Sequence, residues 1–163
     1  MTRFNDNTRG TSFRQFRSSA AMATNASDTA VNYNVTTPTV AQFSAVKIVP
    51  NTNDVTIDLA NNRFIINTTG RYLLDFLIPH FSASLRVTIE GSVYVNGVIL
   101  SSRSFSYIRG ESGHNRDSIG STMIVNLSAG DLVDTRIRRS EGNTVADPVT
   151  ALENATFEIL RVN

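Results

Sequence analysis

Cysteine is absent from the 163 residues. That absence removes a disulfide framework, a thiolate metal site and a cysteine nucleophile together. It also speaks against a secreted animal protein, where disulfides are common. Excess charge is missing too. The net charge is +1, so no bulk electrostatic pull on nucleic acid is expected. No apolar run approaches about 18 residues, so no membrane-spanning helix and no membrane partner are expected. The opening stretch, MTRFNDNTRGTSFRQFRSSAAMA, has no apolar core of the signal-peptide kind, and none is expected. At 17.8 kDa the chain suits one domain, able to bury roughly 70% of its unfolded surface without staples.

Groups that carry chemistry are also sparse. His80 and His114 are the only histidines, and neither has a histidine or carboxylate at a metal-like spacing of two or four. His114 does lie three residues before Asp117, in a polar stretch that reads as a solvated loop. GESG at 110 to 113 is one residue short of a nucleophile elbow. There is no glycine-rich phosphate loop. NTND at 51 to 54 is too short for a calcium loop. Apart from Asp75, no carboxylate sits in an apolar context, and a glycosidase would need a pair across a groove. Asp75 among apolar neighbours suggests a meeting with an arginine at an interface. Five Asn-x-Ser/Thr sequons, beginning at Asn25, Asn34, Asn67, Asn126 and Asn154, read as chance in a chain rich in Asn and Thr. No catalytic residue, cofactor or metal is assigned, and the chain is read as a non-enzyme.

What the sequence does hold divides near residue 38. Residues 1–38 are rich in Thr, Ser, Asn and Ala and follow neither the helical nor the strand period. Arg3, Arg9, Arg14 and Arg17 face only Asp6 in the first twenty residues. Phe4, Phe13 and Phe16 are interleaved with them. A stretch this poor in large apolar residues is expected to stay disordered in the free protein and to order only on a partner surface. It reads as an extended N-terminal arm. Fourteen of the fifteen basic residues are arginine, the cation favoured at protein interfaces. The arm's candidate contact residues are therefore Arg3, Phe4, Arg9, Phe13, Arg14, Phe16 and Arg17.

Residues 39–163 read as strands. DVTIDL places Val55, Ile57 and Leu59 on one face at period two. RYLLDFLI places Tyr72, Leu74, Phe76 and Ile78 on one face and Leu73, Asp75 and Leu77 on the other. Apolar residues on both faces suggest a strand covered on both sides. Asn96-Gly97 is a two-residue hairpin signal, because both positions tolerate positive φ. Ser128–Asp131 is a turn, and LVDTRIRR and ATFEILRV supply late strands. No window carries a helical stripe. The fold class is all-β: a single antiparallel jelly-roll β-sandwich with an extended N-terminal arm. Phe43, Phe64, Tyr72, Leu74, Phe76, Val125, Val133 and Phe157 are the expected core.

Five short patterns, taken in order, carry a family likeness. QFSA (42–45) opens the domain. Phe64 precedes a turn, after which Gly70 and Tyr72 begin the longest strand. VYVNGV makes the hairpin. Leu127, Gly130, Asp131 and Val133 form a Leu-x-x-Gly-Asp-x-Val run. TFEIL (156–160) closes the chain. Over about residues 40 to 163 this resembles the jelly roll of the tumour necrosis factor and complement globular-head superfamily. Each residue also has a local reason. Gly70 is expected to adopt a φ that other residues hold only at a cost, and the Tyr72 hydroxyl needs a partner when buried.

The resemblance implies a homotrimer packed through aromatic and aliphatic residues. Leu73, Asp75, Leu77, Tyr94, Phe105 and Tyr107 are the interface candidates. Unlike animal members, the chain shows no disulfide, collagen-like stalk or membrane anchor, and it carries a polar arm instead. The expected function is therefore that of a virion structural protein, a bacteriophage one foremost. It would be a trimeric capsid decoration or cement protein, anchored by its arm to a viral capsid protein or other virion component. It would be assembled in the host cytoplasm and located in the virion. The alternative is a trimeric receptor- or glycan-binding head of a tail fibre or adhesin, although no heptad or stalk repeat precedes it. A capsid protein with an RNA-binding arm is disfavoured, because four Arg against two acids in residues 1–38 are too few to neutralise many phosphates.

Overall fold

Two antiparallel sheets built from thirteen strands face each other in the computed structural model, which describes residues 17–23, 29–31, 37–81, 87–108, 116–142, 149–151 and 154–162. The strands are β1 (Arg17–Ala23), β2 (Thr29–Val31), β3 (Thr39–Val40), β4 (Ala45–Ile48), β5 (Val55–Asp58), β6 (Arg63–Ile66) and β7 (Gly70–Phe81). They continue as β8 (Val87–Val95), β9 (Val98–Ile108), β10 (Arg116–Leu127), β11 (Leu132–Gly142), β12 (Val149–Ala151) and β13 (Thr156–Val162). The helical content among the described residues is one short 3₁₀ turn, Leu59–Asn61, capped by the Asp58 side chain.

The first sheet runs β10-β7-β13-β1-β4, with β12 and β2 added beside the far end of β7. The second runs β5-β6-β11-β8-β9, with β3 beside β11. Chain neighbours β7 and β8 lie in different sheets, and β13 returns to pair with β7. This is the jelly-roll pattern expected from the strand count and turn spacing.

Period two drives the packing. On β7, Tyr72, Leu74, Phe76, Ile78 and His80 point inward, while Leu73, Asp75 and Leu77 point outward. Across the gap stand Phe64 and Ile66 of β6, Ile89 and Val93 of β8, and Val133 and Ile137 of β11. The Phe157 ring on β13 packs 4.7 Å from Phe64 and 6.2 Å from Phe43, joining the sheets. Seven of the eight expected core residues are buried. The eighth, Val125, is partly buried and packs against the same cluster.

The Asn96-Gly97 hairpin takes its expected geometry, and Ser128–Asp131 forms the expected turn, closed by the Asp131 N–H donating to the Ser128 carbonyl at 3.0 Å. Asn96 and Gly97 sit at φ 52° and 79°, and Gly130 at 94°, a region that glycine and asparagine reach most easily. Asn96 also ties the two turns together, donating to Asp131 Oδ1 at 2.8 Å and accepting from the Leu132 N–H at 2.9 Å. Asp131 caps its own turn by accepting from the Ser128 N–H at 2.8 Å.

Two expectations need correction. Gly70 does not occupy the left-handed region; it opens β7 in ordinary strand geometry. Its missing side chain instead makes room for Arg161, since a Cβ there would lie 3.0 Å from Arg161 Nε. The arm boundary at residue 38 also moves. Residues 17–23 form β1 inside the first sheet, paired with β13 and β4, and Ala20 and Met22 are fully buried. Residues 29–31 form β2. Neighbouring strands supply the backbone hydrogen bonds and apolar cover that residues 17–23 lack alone. The expected disorder of the arm thus does not extend over β1. Residues 1–16 lie outside the described residues.

Candidate interaction surfaces

The outer face of the first sheet is built from alternate residues of three adjacent strands. Cross-strand register puts Ile124 of β10, Leu73 of β7 and Leu160 of β13 in one row. The next row holds Thr122, Asp75 and Glu158, and the one after it Gly120, Leu77 and Thr156. Directly opposed residues share a face and approach within about 4.5–5.5 Å at Cβ. Ile124 is 60% exposed and Leu77 46%. Leu77 leans over Gly120: a Cβ at Gly120 would meet Leu77 Cδ1 at 3.2 Å and the Phe76 carbonyl oxygen at 2.7 Å. An aliphatic band therefore runs across the sheet, interrupted by the carboxylates of Asp75 and Glu158. Asp75 accepts a hydrogen bond from the Thr122 hydroxyl.

Phe105 and Tyr107 form a second patch elsewhere. They lie on β9, at the edge of the second sheet, opposite Glu90 and Thr88 of β8, and are 59% and 52% exposed. Glu90 is buried beside them and accepts from Arg138 Nη2 at 2.8 Å. The intervening residue Ser106 points the other way, towards β10, and donates to Asp117 Oδ2 at 2.7 Å. Two steps back, Ser104 Oγ accepts from the Gly120 N–H at 3.2 Å. These contacts fix the edge of one sheet against the edge of the other.

The sequence-predicted residues thus fall into separate places. Leu73, Asp75 and Leu77 share the first face, and Phe105 and Tyr107 share the second. Tyr94 belongs to neither. It stands on β8, half-buried, with the Arg136 guanidinium 4.5 Å above its ring. Arg136 is itself held by Asp134 through two bonds of 2.6 and 2.9 Å. That hydrogen-bonded carboxylate, ahead of the opposing loss of hydration, raises the Arg136 pKa. Arg17 opens β1, and Arg3, Phe4, Arg9, Phe13, Arg14 and Phe16 lie outside the described residues. Ile124 and Leu160 were not singled out from the sequence. Their signal was available, because Met123, Val125 and Leu127 alternate inward and leave Ile124 on the opposite face.

Reactive chemistry finds little purchase. Among the described residues, no three His, Cys, Asp or Glu side chains gather where a metal could bind. His80 is fully buried on the inner face of β7. Burial pushes its pKa down to about 4, against a backbone hydrogen bond at Ile78 and the nearby Asp117, which both raise it. A neutral, enclosed imidazole of this kind serves packing. Tyr72 donates its hydroxyl to the Thr68 carbonyl at 2.6 Å, and burial raises its pKa first of all.

No protein-family model matches the chain, and no curated protein is similar to it in sequence. Solved structures are similar in fold. The Eiger TNF of S. frugiperda aligns over 91% of this chain and 93% of its own, with TM-score 0.63 and 15% identity. The globular domain of zebrafish complement 1qA aligns over 90% and 98%, with TM-score 0.62 and 14% identity. Murine APRIL aligns over 89% and 100%, with TM-score 0.55 and 13% identity. The fold is the jelly roll of tumour necrosis factor and C1q-like globular heads.

Proposed function

We propose that the chain is a homotrimeric head with a structural, non-catalytic task, and that it decorates a virion. The observation that carries the trimer is the pair of exposed apolar patches on different faces. A monomer has no use for Leu77, Ile124, Phe105 and Tyr107 in water. Two different patches that satisfy each other make a head-to-tail contact, and a rotation that closes such contacts makes a ring. The trimer expected from the family resemblance is the ring in question.

The virion reading rests on the residues before β1. Arg3, Arg9 and Arg14 alternate with Phe4, Phe13 and Phe16 over residues 1–16. Guanidinium groups take carboxylates in two-pronged bonds, and phenyl rings fill apolar grooves. Such a segment suits a tether to a capsid protein. Three tethers on one trimer raise the effective affinity about 10²- to 10⁴-fold if all three can engage.

The test is a pelleting assay with virions or empty shells, comparing the full chain with one starting at Arg17. The full chain is expected to pellet with shells and the shortened one to remain in solution. Equal binding by both would make the segment a passive tail. The same head would then be read as a receptor- or glycan-binding module of a fibre or adhesin.

A further inference from the structure

Asn96-Gly97 is the one Asn-Gly pair in the 163 residues, and this dipeptide is the one most open to spontaneous loss of the side-chain amide. The chemistry is intramolecular. The Gly97 backbone nitrogen gives up its proton and attacks Asn96 Cγ. The new C–N bond closes a five-membered succinimide, and the side-chain nitrogen takes up the proton and leaves as ammonia. Water then opens the ring at either carbonyl, leaving aspartate or isoaspartate at position 96. Glycine allows the attack because no side chain shields its nitrogen. Both residues are exposed, so water reaches them.

The fold opposes this reaction through the neighbouring turn. Asn96 Nδ2 donates to Asp131 Oδ1 at 2.8 Å, Asn96 Oδ1 accepts from the Leu132 N–H at 2.9 Å, and the Asn96 N–H donates to the Leu132 carbonyl at 2.8 Å. Asp131 is itself fixed, because its other oxygen accepts from the Ser128 N–H at 2.8 Å. Ring closure needs the amide carbon to swing to about 3–3.5 Å from the Gly97 nitrogen, correctly aligned. That rotation breaks both side-chain bonds, and the one to the carboxylate is charge-assisted. The negative charge of Asp131 beside the amide also opposes the anionic tetrahedral intermediate.

We propose that Asn96 is a latent deamidation site that Asp131 holds closed, and that its conversion unfastens this end of the sandwich. The same contacts give the consequence. Aspartate at position 96 sets a carboxylate oxygen where the amide nitrogen now donates to Asp131, so two anions meet in place of a hydrogen bond. Isoaspartate adds an atom to the main chain of a two-residue turn whose φ angles are 52° and 79°, and the pairing of Val95 with Val98 leaves no room for it. Either product turns the attraction between the β8–β9 and β10–β11 turns into repulsion or misfit.

The test is ageing of the purified chain in mildly alkaline buffer, with aspartate and isoaspartate at position 96 quantified by peptide mass spectrometry. The folded chain is expected to deamidate slower than the same chain in urea by about tenfold or more. Folded Asp131→Ala is expected to recover most of that difference. If Asp131→Ala fails to fold by circular dichroism, Asp131→Asn serves; it keeps an acceptor, loses the charge and is expected to accelerate the reaction by less. Thr69→Val removes the bond that the Ala129 N–H donates to Thr69 Oγ1 at 3.0 Å. It loosens the same turn without touching Asn96 and is expected to leave the rate unchanged. Asn96→Asp is expected to lower the urea midpoint. Equal rates in the folded and unfolded chain, no acceleration in the Asp131 variant, or equal acceleration in Thr69→Val would overturn the role of Asp131. An unchanged midpoint in Asn96→Asp would overturn the unfastening.

Discussion

Arg161 on the last strand and Asp54 in the turn before β5 meet at 2.6 Å between Nη1 and Oδ1, although 107 residues separate them. The contact closes one end of the sandwich. Asp54 is almost fully buried, Arg161 Nη2 also donates to the Thr69 carbonyl at 3.3 Å, and Gly70 leaves the space the guanidinium occupies. The Tyr72 hydroxyl reaches Thr68 beside them. Replacing Arg161 with Met strands a buried carboxylate, so about 3 kcal/mol of stability should be lost. Asp54→Asn in the same chain should return part of it. Urea unfolding midpoints of the three variants check both statements.

Gly91 of β8 faces Ile119 of β10 and Phe76 of β7 across the sandwich with no room for a side chain. A Cβ there would lie 2.7 Å from Ile119 Cδ1 and 3.1 Å from Phe76 Cε2. Gly91→Ala should therefore destabilise by about 1–3 kcal/mol through overpacking. Ile119→Val removes the atom that is struck. Thermal unfolding should show Gly91→Ala/Ile119→Val to be less damaged than the sum of its parts.

His80 makes stability depend on mild acid. Its folded pKa, about 4, lies below its ordinary value of 6.5. Above pH 6.5 neither state holds the extra proton. Between pH 6.5 and 4 the unfolded chain takes it up and the folded one does not, so stability falls as pH falls. Over that window the loss should amount to roughly 3 kcal/mol. Denaturant titrations across it should show the decline in the unmutated chain, and a flatter profile in His80→Gln.

Met22 lies at 0% exposure between β13 and β4. A chain starting at Arg17 should keep its unfolding midpoint, whereas one starting at Asn25 loses β1 and should unfold far earlier. Met22→Ala alone should cost about 2–4 kcal/mol. Chemical unfolding of the three proteins checks the folded boundary.

The legible parts of the fold were those written in strong periods or in special turns. Alternation along residues 71–78 sorted both faces of β7 correctly, and Asn96-Gly97 announced its positive φ angles. Strand β1 was hidden because RSSAAMA carries one large apolar side chain, Met22. Small residues suit the narrow space beside Phe157 and Ile159, but they leave no pattern in a window. In the sequence Gly70 reads as a turn device, because nothing local points to Arg161, more than ninety positions later. The candidate surfaces were half legible. The outward residues of β7 were readable from their own strand, but Ile124 and Leu160 joined them only through register. Nothing in the sequence near Tyr94 showed that Arg136 would cover its ring.

The central claim is that two unlike apolar patches close three copies into a ring. Sedimentation equilibrium of the purified chain at micromolar concentration tests it most directly, with Leu77→Arg and Phe105→Arg measured alongside. The account predicts a mass three times 17.8 kDa for the unmutated chain and loss of the trimer in either variant, with the β-rich circular dichroism spectrum retained. A mass of 17.8 kDa for the unmutated chain, or a trimer indifferent to both substitutions, would contradict it.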